Sequence, residues 1–428
     1  MNIHTKPYVK TIAMVLVALM IGTFSIGCGG DKTLESETPD QDTKGMSEDE
    51  ALAAFADAID VDYAKAAVDA IAAAGTNDEL GFRNAGTAGE IEACNYIADE
   101  MKKLGYEVTK DPFTSDVWTF DGASVSFKDS GGNDYNATLA AEQIDYQVNN
   151  EELDIVYGGY GTAGDLEGLN VKGKFVLVDV DQVSAYWINW PAKQCAVKGA
   201  LGIIAMSDGG YATYTDDTLG IQDYVGPSDV PALNISIEDG KVLKKAIKNN
   251  GGKLKITLSC DSTVVRDSEA TNIICEMPGT DPDLQVISYS AHYDGYFHAF
   301  SDDTSGCGAL MGIAKAIVDS EFKPARTHRF IFTSAEEWGL DDSHFDWAFG
   351  SWQAALKHPE WSSDTFLNIN IDGGVFEGDA TGYNLEVPFE LMGPITDMTG
   401  KIDGNPTGKL DMEAPLSTWT DAWPFTVR

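Results

Sequence analysis

The sequence predicts an α/β fold: a mixed, largely parallel sheet flanked by helices, with a β-rich module inserted into it. Three observations lead there. Apolar residues fall at helical spacing on either side of a long middle region built of short β runs. Gly, Asp and Asn turns punctuate that middle, and no cluster of His, Cys or paired carboxylates gathers in it. After residue 262, strands alternate with helices, the pattern of a parallel sheet covered on its faces. The 428 residues are enough for two or three domains, and 43% hydrophobic content is enough for full cores, which excludes wholesale disorder.

Residues 1–27 read as a signal peptide. "MNIHTKPYVK" supplies Lys6 and Lys10, residues 11–27 form an apolar run, and Gly27 directly precedes Cys28. The segment resembles a bacterial lipoprotein signal, with Cys28 becoming the lipidated N-terminus. An ordinary secretory signal or an N-terminal anchor helix has the same anatomy. All three place the protein outside the cytoplasm, and the first makes a lipid anchor its only contact with membrane. Residues 28–50 are a polar, acidic linker without apolar periodicity. The remaining cysteines, Cys94, Cys195, Cys260, Cys275 and Cys307, are odd in number and contain no CxxC pair. They are expected to be buried small hydrophobes rather than disulfides or zinc ligands.

Residues 51–117 form a first part of the main domain. "EALAAFADAIDVDYAKAAVDAIAAAG" and "GTAGEIEACNYIADEMKKLG" are patterned as helices, the second with Ile91, Cys94, Ile97, Ala98 and Met101 on one face and Gly105 as its stop. "YEVTKDPF" reads as a strand. Residues 118–262 form the β-rich insert, with strands at "ASVSF", "LDIVYGGYG", "GKFVLVDV", "GIIAMS", "ALNIS" and "KLKITLS". Within it only "PAKQCAVKGA" and "EDGKVLKKAIKN" look helical. Residues 263–428 return to the main domain. "TNIICEMPG", "LQVISYSA", "HRFIFTS" and "FLNINI" are its strands, and "SGCGALMGIAKAIVDSE" is a helix with Leu310, Ile313, Ala314 and Ile317 on one face.

Ligands of such sheets bind beyond the carboxyl ends of the strands. His292 and Asp294 follow "LQVISYSA", Glu336 and Glu337 follow "HRFIFTSA", and Asp372 follows "FLNINI"; Asp302 precedes the helix that starts near Ser305. A single solvated loop accounts for "HYD" alone. Three strand ends terminating in carboxylate or imidazole do not reduce to that, because unpaired carboxylates gathered at one edge repel one another. Cations relieve the repulsion, and a His-plus-carboxylate shell suits zinc. Several carboxylates around one crevice suggest two metals sharing a bridging ligand, as in hydrolytic displacement. One Glu of "AEEWG" could then ligate while its neighbour acts as base, and Asp294 could fix the second ring nitrogen of His292. The balance of 29 Lys and Arg against 68 Asp and Glu, a net charge of −39, makes a nucleic-acid partner improbable.

"AHYDGYFHAFSDDTSG", "FIFTSAEEWGLDDS" and "NINIDGG" resemble, in order and rough spacing, the metal motifs of the co-catalytic di-zinc exopeptidases, the family of bacterial leucyl aminopeptidases and glutamate carboxypeptidase II. "FRNAGTAGEIEACNYIADEMKKLGYEV" is similar to the family's N-terminal segment. The insert resembles a protease-associated domain through "LNVKGKFVLVDVD", "CAVKGALGIIAMS" and "VPALNISIEDGKVL". The resemblance implies two zinc ions per chain. In that reading His292 and Asp372 bind one zinc, Glu337 binds the other, Asp302 bridges both, Glu336 is the general base and Asp294 orients His292. It implies an exopeptidase, an aminopeptidase first, with peptides as substrates. A last His ligand is expected some tens of residues beyond a segment like "STWTDAWPF", and the sequence ends at Arg428, so the main domain is expected to be incomplete. His298 and His344 are the candidates that could approach the metals instead. The alternatives are a non-catalytic binding lipoprotein on the same scaffold and a cyclotransferase acting on N-terminal Gln.

Overall fold

The computed structural model describes residues 54–77, 80–141, 143–181, 188–209, 215–219, 229–320, 324–341, 347–373, 383–399, 410–413, 417–418 and 420–428. The signal peptide, Cys28, the linker and His344 therefore lie outside the described residues. Among those described, no helix is long and apolar enough to cross a membrane.

The first helical stretch is divided rather than continuous. Asp60 is extended and its carboxylate accepts the Tyr63 amide at 3.0 Å, so a new helix, α1, starts at Val61 and runs to Ala72. Helix α2, Ala88–Lys103, begins at the N-cap Thr87 and stops before Gly105, whose φ of +93° suits a residue without Cβ.

Two long strands organise everything that follows. β1, Glu107–Lys128, and β7, Lys253–Met277, pair antiparallel along almost their whole lengths, from Glu107↔Glu276 to Phe127↔Ile256. Between them lie β2 (Asp134–Ala141), β3 (Tyr146–Tyr157), β4 (Phe175–Asp181), α3 (Asn189–Val197), β5 (Gly202–Gly209), β6 (Ala232–Ile235) and α4 (Ile237–Asn249). The hydrogen-bonded order β1-β2-β6-β5-β4-β3-β7, closed by β7 on β1, makes a ring of seven strands. Phe175 and Leu177 of β4 enter one core with α4, and Val176, Val178 and Val180 enter a second with α3. Burial of both faces is why "FVLVDV" reads as an unbroken apolar run. The boundaries expected after residues 117 and 262 fall inside β1 and β7. The pairing shifts register there, between Ser115 and Val117, as the strands pass from one lobe to the other.

The other ends of β1 and β7 belong to a five-stranded sheet of order β1-β7-β9-β8-β10, with β8 at Val286–His292, β9 at His328–Thr333 and β10 at Thr365–Asn370. β8 runs parallel to both β9 and β10, and β9 runs antiparallel to β7, so the sheet is mixed with a parallel core. Helix α5, Ser305–Asp319, has the sequence pattern of one apolar face but is buried nearly all round. It lies between the sheet and α1, and an added Cβ at Gly308 would meet Val68 Cγ2 at 2.3 Å, so glycine permits that approach. Beyond the sheet come α6 (Phe349–Lys357), α7 (Trp361–Asp364), the two-stranded β11–β12 pair (Tyr383–Glu386 with Leu410–Glu413), α8 (Phe389–Thr399) and α9 (Ala422–Val427). The five described cysteines are buried and free, as expected of small hydrophobes.

His328, at the start of β9, is 1% exposed and its Nδ1 shares a hydrogen bond of 3.0 Å with the Tyr289 hydroxyl. Burial lowers its pKa to about 4. The unfolded chain therefore takes up this proton first as pH falls, so the contribution of His328 to stability is present above about pH 6.5 and is lost toward pH 4. Relative to His328→Gln, the wild type should lose about 3 kcal/mol of unfolding free energy across that window. Urea titrations of both proteins between pH 4 and 7 measure it, and parallel curves would refute the neutral-His assignment.

Candidate metal centre

Each parallel strand of the five-stranded sheet ends at the same edge, and each delivers a polar side chain there. His292 is the last residue of β8, which lies between β9 and β10, and is 1% exposed. Its Nε2 lies 3.0 Å from Asp302 Oδ1, 3.8 Å from Glu336 Oε2 and 3.8 Å from Asp372 Oδ1. Its Nδ1 turns away from that group, toward the Asp294 carbonyl oxygen at 3.3 Å and Oδ1 at 3.5 Å. The ring thus presents one nitrogen to three carboxylates and the other to Asp294.

Asp294 has a second task. Its buried carboxylate accepts the backbone amides of Glu336 at 3.1 Å and Glu337 at 3.2 Å, which fixes the turn after β9. From the other side, the Glu336 carbonyl accepts from the Ala348 amide and the Ala335 carbonyl from the Phe349 amide at the start of α6. Ala335 sits between, at φ +57°, a conformation that costs a residue with Cβ roughly 1–2 kcal/mol and that such turns hold by their surroundings.

Asp302 and Asp303, joined by a cis peptide bond, divide the labour of the next loop. The Asp302 side chain is 48% exposed and open toward His292 Nε2. Asp303 is fully buried: Oδ1 accepts the amides of Gly306 and Gly373, each at 2.9 Å, and Oδ2 accepts the His292 amide at 3.2 Å. It has a donor atom near those of His292 and Asp372, but these amide bonds make it the anchor joining β8, α5 and the loop after β10. Glycine at 306 is required, since an added Cβ would lie 2.3 Å from Asp303 Oδ1.

The electrostatics are those of crowded, dry carboxylates. Burial pushes Glu336 well above the usual range; His292 pulls it down, and Asp372, Asp421 and Glu337 push it further up. Burial likewise raises Asp303 strongly and Asp421 to about 6. Burial opposes charge on His292, yet Glu336, Asp294, Asp302 and Asp372 together hold its pKa well above that of a free imidazole. These carboxylates draw positive charge to Nε2: a proton on the ring supplies it, and a cation held between an unprotonated ring and the carboxylates would supply it in the proton's place. The donor set of one imidazole and hard oxygens fits zinc.

His292, Asp294, Asp302, Glu336 and Asp372 meet at one edge, and Glu337 is held beside them by its amide on Asp294. His298 does not join them by any contact among the described residues. It is exposed and lines a cleft of about 390 Å³ against Thr138, Ser236 and Asp239 of the insert. Four residues that hold the site escape the sequence reading. Asp303, next to Asp302 in the chain, is the first of them. Glu90, fully buried and raised to about 8 by desolvation, accepts from the Gly86 amide at 2.7 Å and from the Ser334 hydroxyl. Its signal is Thr87-x-x-Glu90, a capping-box spacing. Asp421, within "STWTDAWPF", accepts from the Thr333 hydroxyl at the end of β9. Arg83 is the fourth.

Residues 272–422 match the model of peptidase family M28. A probable leucine aminopeptidase 2 of Trichophyton verrucosum is 27% identical over 312 residues, 71% of this chain and 58% of that protein. The chain thus spans just over half the length of the curated relatives it matches. Among solved structures, a peptidase M28 precursor from Shewanella amazonensis superposes with a TM-score of 0.66 at 19% identity, covering 88% of this chain and 84% of that one. A zinc aminopeptidase from Bacillus subtilis gives 0.61 at 19% identity, covering 86% and 83%. These structures share the mixed α/β fold. His292, Asp294, Asp302, Glu336, Glu337 and Asp372 all lie within the segment that matches the peptidase family M28 model.

Proposed function

We propose that the protein is a zinc-dependent aminopeptidase, removing N-terminal residues from peptides outside the cytoplasm. The observation that carries this reading is the convergence of Asp302, Glu336 and Asp372 on His292 Nε2, with Nδ1 held toward Asp294. The leucine aminopeptidases among its relatives support the choice of aminopeptidase.

In this reading His292, Asp302, Glu337 and Asp372 would hold the zinc. When bound, zinc supplies a Lewis acid that polarises the scissile carbonyl and makes water acidic. Glu336 takes a proton from the attacking water as its oxygen bonds to the carbonyl carbon. It returns that proton to the leaving nitrogen as the C–N bond breaks. A carboxyl whose pKa is raised by burial suits both halves of the exchange, because desolvation strengthens its hold on the proton it takes from water and later passes on. Asp294 keeps the ring and the Glu336–Glu337 turn in register throughout. Cys28 would carry a lipid anchor, residues 118–262 would act as a separable protease-associated module, and the net charge of −39 disfavours nucleic acid as a partner.

The test is hydrolysis of a panel of aminoacyl-anilides by the chain, with zinc and with a chelator. Turnover that the chelator abolishes and zinc restores is expected. A zinc-loaded chain that binds peptides without cleaving them would instead support the binding-lipoprotein reading.

A further inference from the structure

Arg83 is one of the largest fully buried side chains of the protein, at 1% exposure, and no carboxylate lies within salt-bridge distance of it among the described residues. Its guanidinium instead donates to three separate segments. Nε donates to the Tyr293 carbonyl at 2.5 Å, Nη2 to the Thr304 hydroxyl at 2.5 Å, and Nη1 to the Ile71 carbonyl near the end of α1 at 3.2 Å. Tyr293 lies between His292 and Asp294, and Thr304 is two residues beyond Asp302. The backbone joins in: the Arg83 amide donates to the Gly295 carbonyl and the Gly295 amide to the Arg83 carbonyl, both at 3.0 Å. The neighbouring Phe82 amide donates to the Phe297 carbonyl at 2.7 Å. The two arms of the loop that carries His292, Asp294 and Asp302 are therefore held at a set distance by one side chain.

An isolated buried cation is costly, and a structural hydrogen bonder of this size would ordinarily be neutral. Here the surroundings are rich in buried carboxylates, Asp294, Glu90 and Glu337 among them. A planar fork with five donors reaches three acceptors in fixed directions, which a lysine ammonium cannot do. We propose that Arg83 is a positioning residue of the metal centre: it sets the separation of the His292–Asp294 arm from the Asp302–Thr304 arm, and so the affinity for zinc. The proposal rests on the metal-centre reading given above.

The experiment measures zinc dissociation constants by competition with a chromophoric chelator, together with the thermal midpoint of the zinc-free protein. The proteins are wild type, Arg83→Lys, Thr304→Val and Ile247→Ala. Ile247 is buried in α4 of the insert and touches no part of the site, so its truncation reports general destabilisation. Arg83→Lys should weaken zinc binding roughly 10- to 100-fold, the range for partners that orient ligands. Thr304→Val, which removes a single acceptor and keeps Arg83, should weaken it several-fold. Ile247→Ala should lower the midpoint and leave zinc affinity as in wild type. Folded Arg83→Lys with wild-type affinity overturns the proposal, as does Ile247→Ala losing zinc to the same degree. If Arg83→Lys does not fold, Thr304→Val decides, and unchanged affinity there also overturns it. A wild-type chain that binds no zinc refutes the metal-centre reading itself, a result distinct from the others.

Discussion

Replacing Glu336 by Gln is expected to lower kcat by roughly 10²- to 10⁴-fold, the usual contribution of a positioned acid–base group, while zinc content stays at the wild-type level. The side chain keeps its size and its place at the turn, where Asp294 holds the Glu336 amide whatever the side chain is. What it loses is the ability to carry a proton between water and the leaving nitrogen. Glu336 lies 3.8 Å from His292 Nε2, the same distance as Asp372, so geometry alone does not separate base from ligand. The paired measurement does. Loss of zinc together with turnover would move Glu336 into the ligand set and leave the base to be found elsewhere.

The second large effect is expected at Asp294, and it should appear in stability as well as in metal binding. Asp294→Ala removes the acceptor of two buried amides, those of Glu336 and Glu337. Each unsatisfied donor costs about 1–3 kcal/mol, so urea unfolding of the zinc-free protein should show a loss of about 2–6 kcal/mol. Zinc affinity should fall roughly 10- to 100-fold as the His292 ring loses its partner. Asp294→Asn tests the same geometry more gently. Its amide nitrogen must face one of the two N–H groups, so half the interaction turns repulsive with almost no change in volume. A zinc-free Asp294→Ala protein as stable as the wild type would remove Asp294 from this role.

Both predictions concern residues that are legible in the sequence alone, because they stand at strand ends and a strand end in a parallel sheet has one place to be. The helix period, the β runs of the insert and the strand–helix alternation after residue 262 carry the fold in the same way. They are local properties, set by side-chain spacing and turn chemistry within a few residues. The break at Asp60 is less legible, since the apolar pattern continues through it and only the cap geometry interrupts the helix.

The residues that escape sequence reading act over distance. Arg83 donates to Tyr293 and Thr304, 210 and 221 positions away, and Glu90 meets Ser334 across 244. Nothing in the spacing of "FRNAGTAGE" announces those partners. Asp303 differs: it lies next to Asp302 in the chain, yet one side chain is half exposed toward His292 and the other is sealed under three amides. Sequence by itself determined which chemical groups the protein could bring to the edge of its sheet, because residue type and strand position are local. Only the tertiary structure decided which of two adjacent carboxylates faces the crevice and which holds the loops, because burial and hydrogen-bond partners come from segments that meet only after the chain has folded.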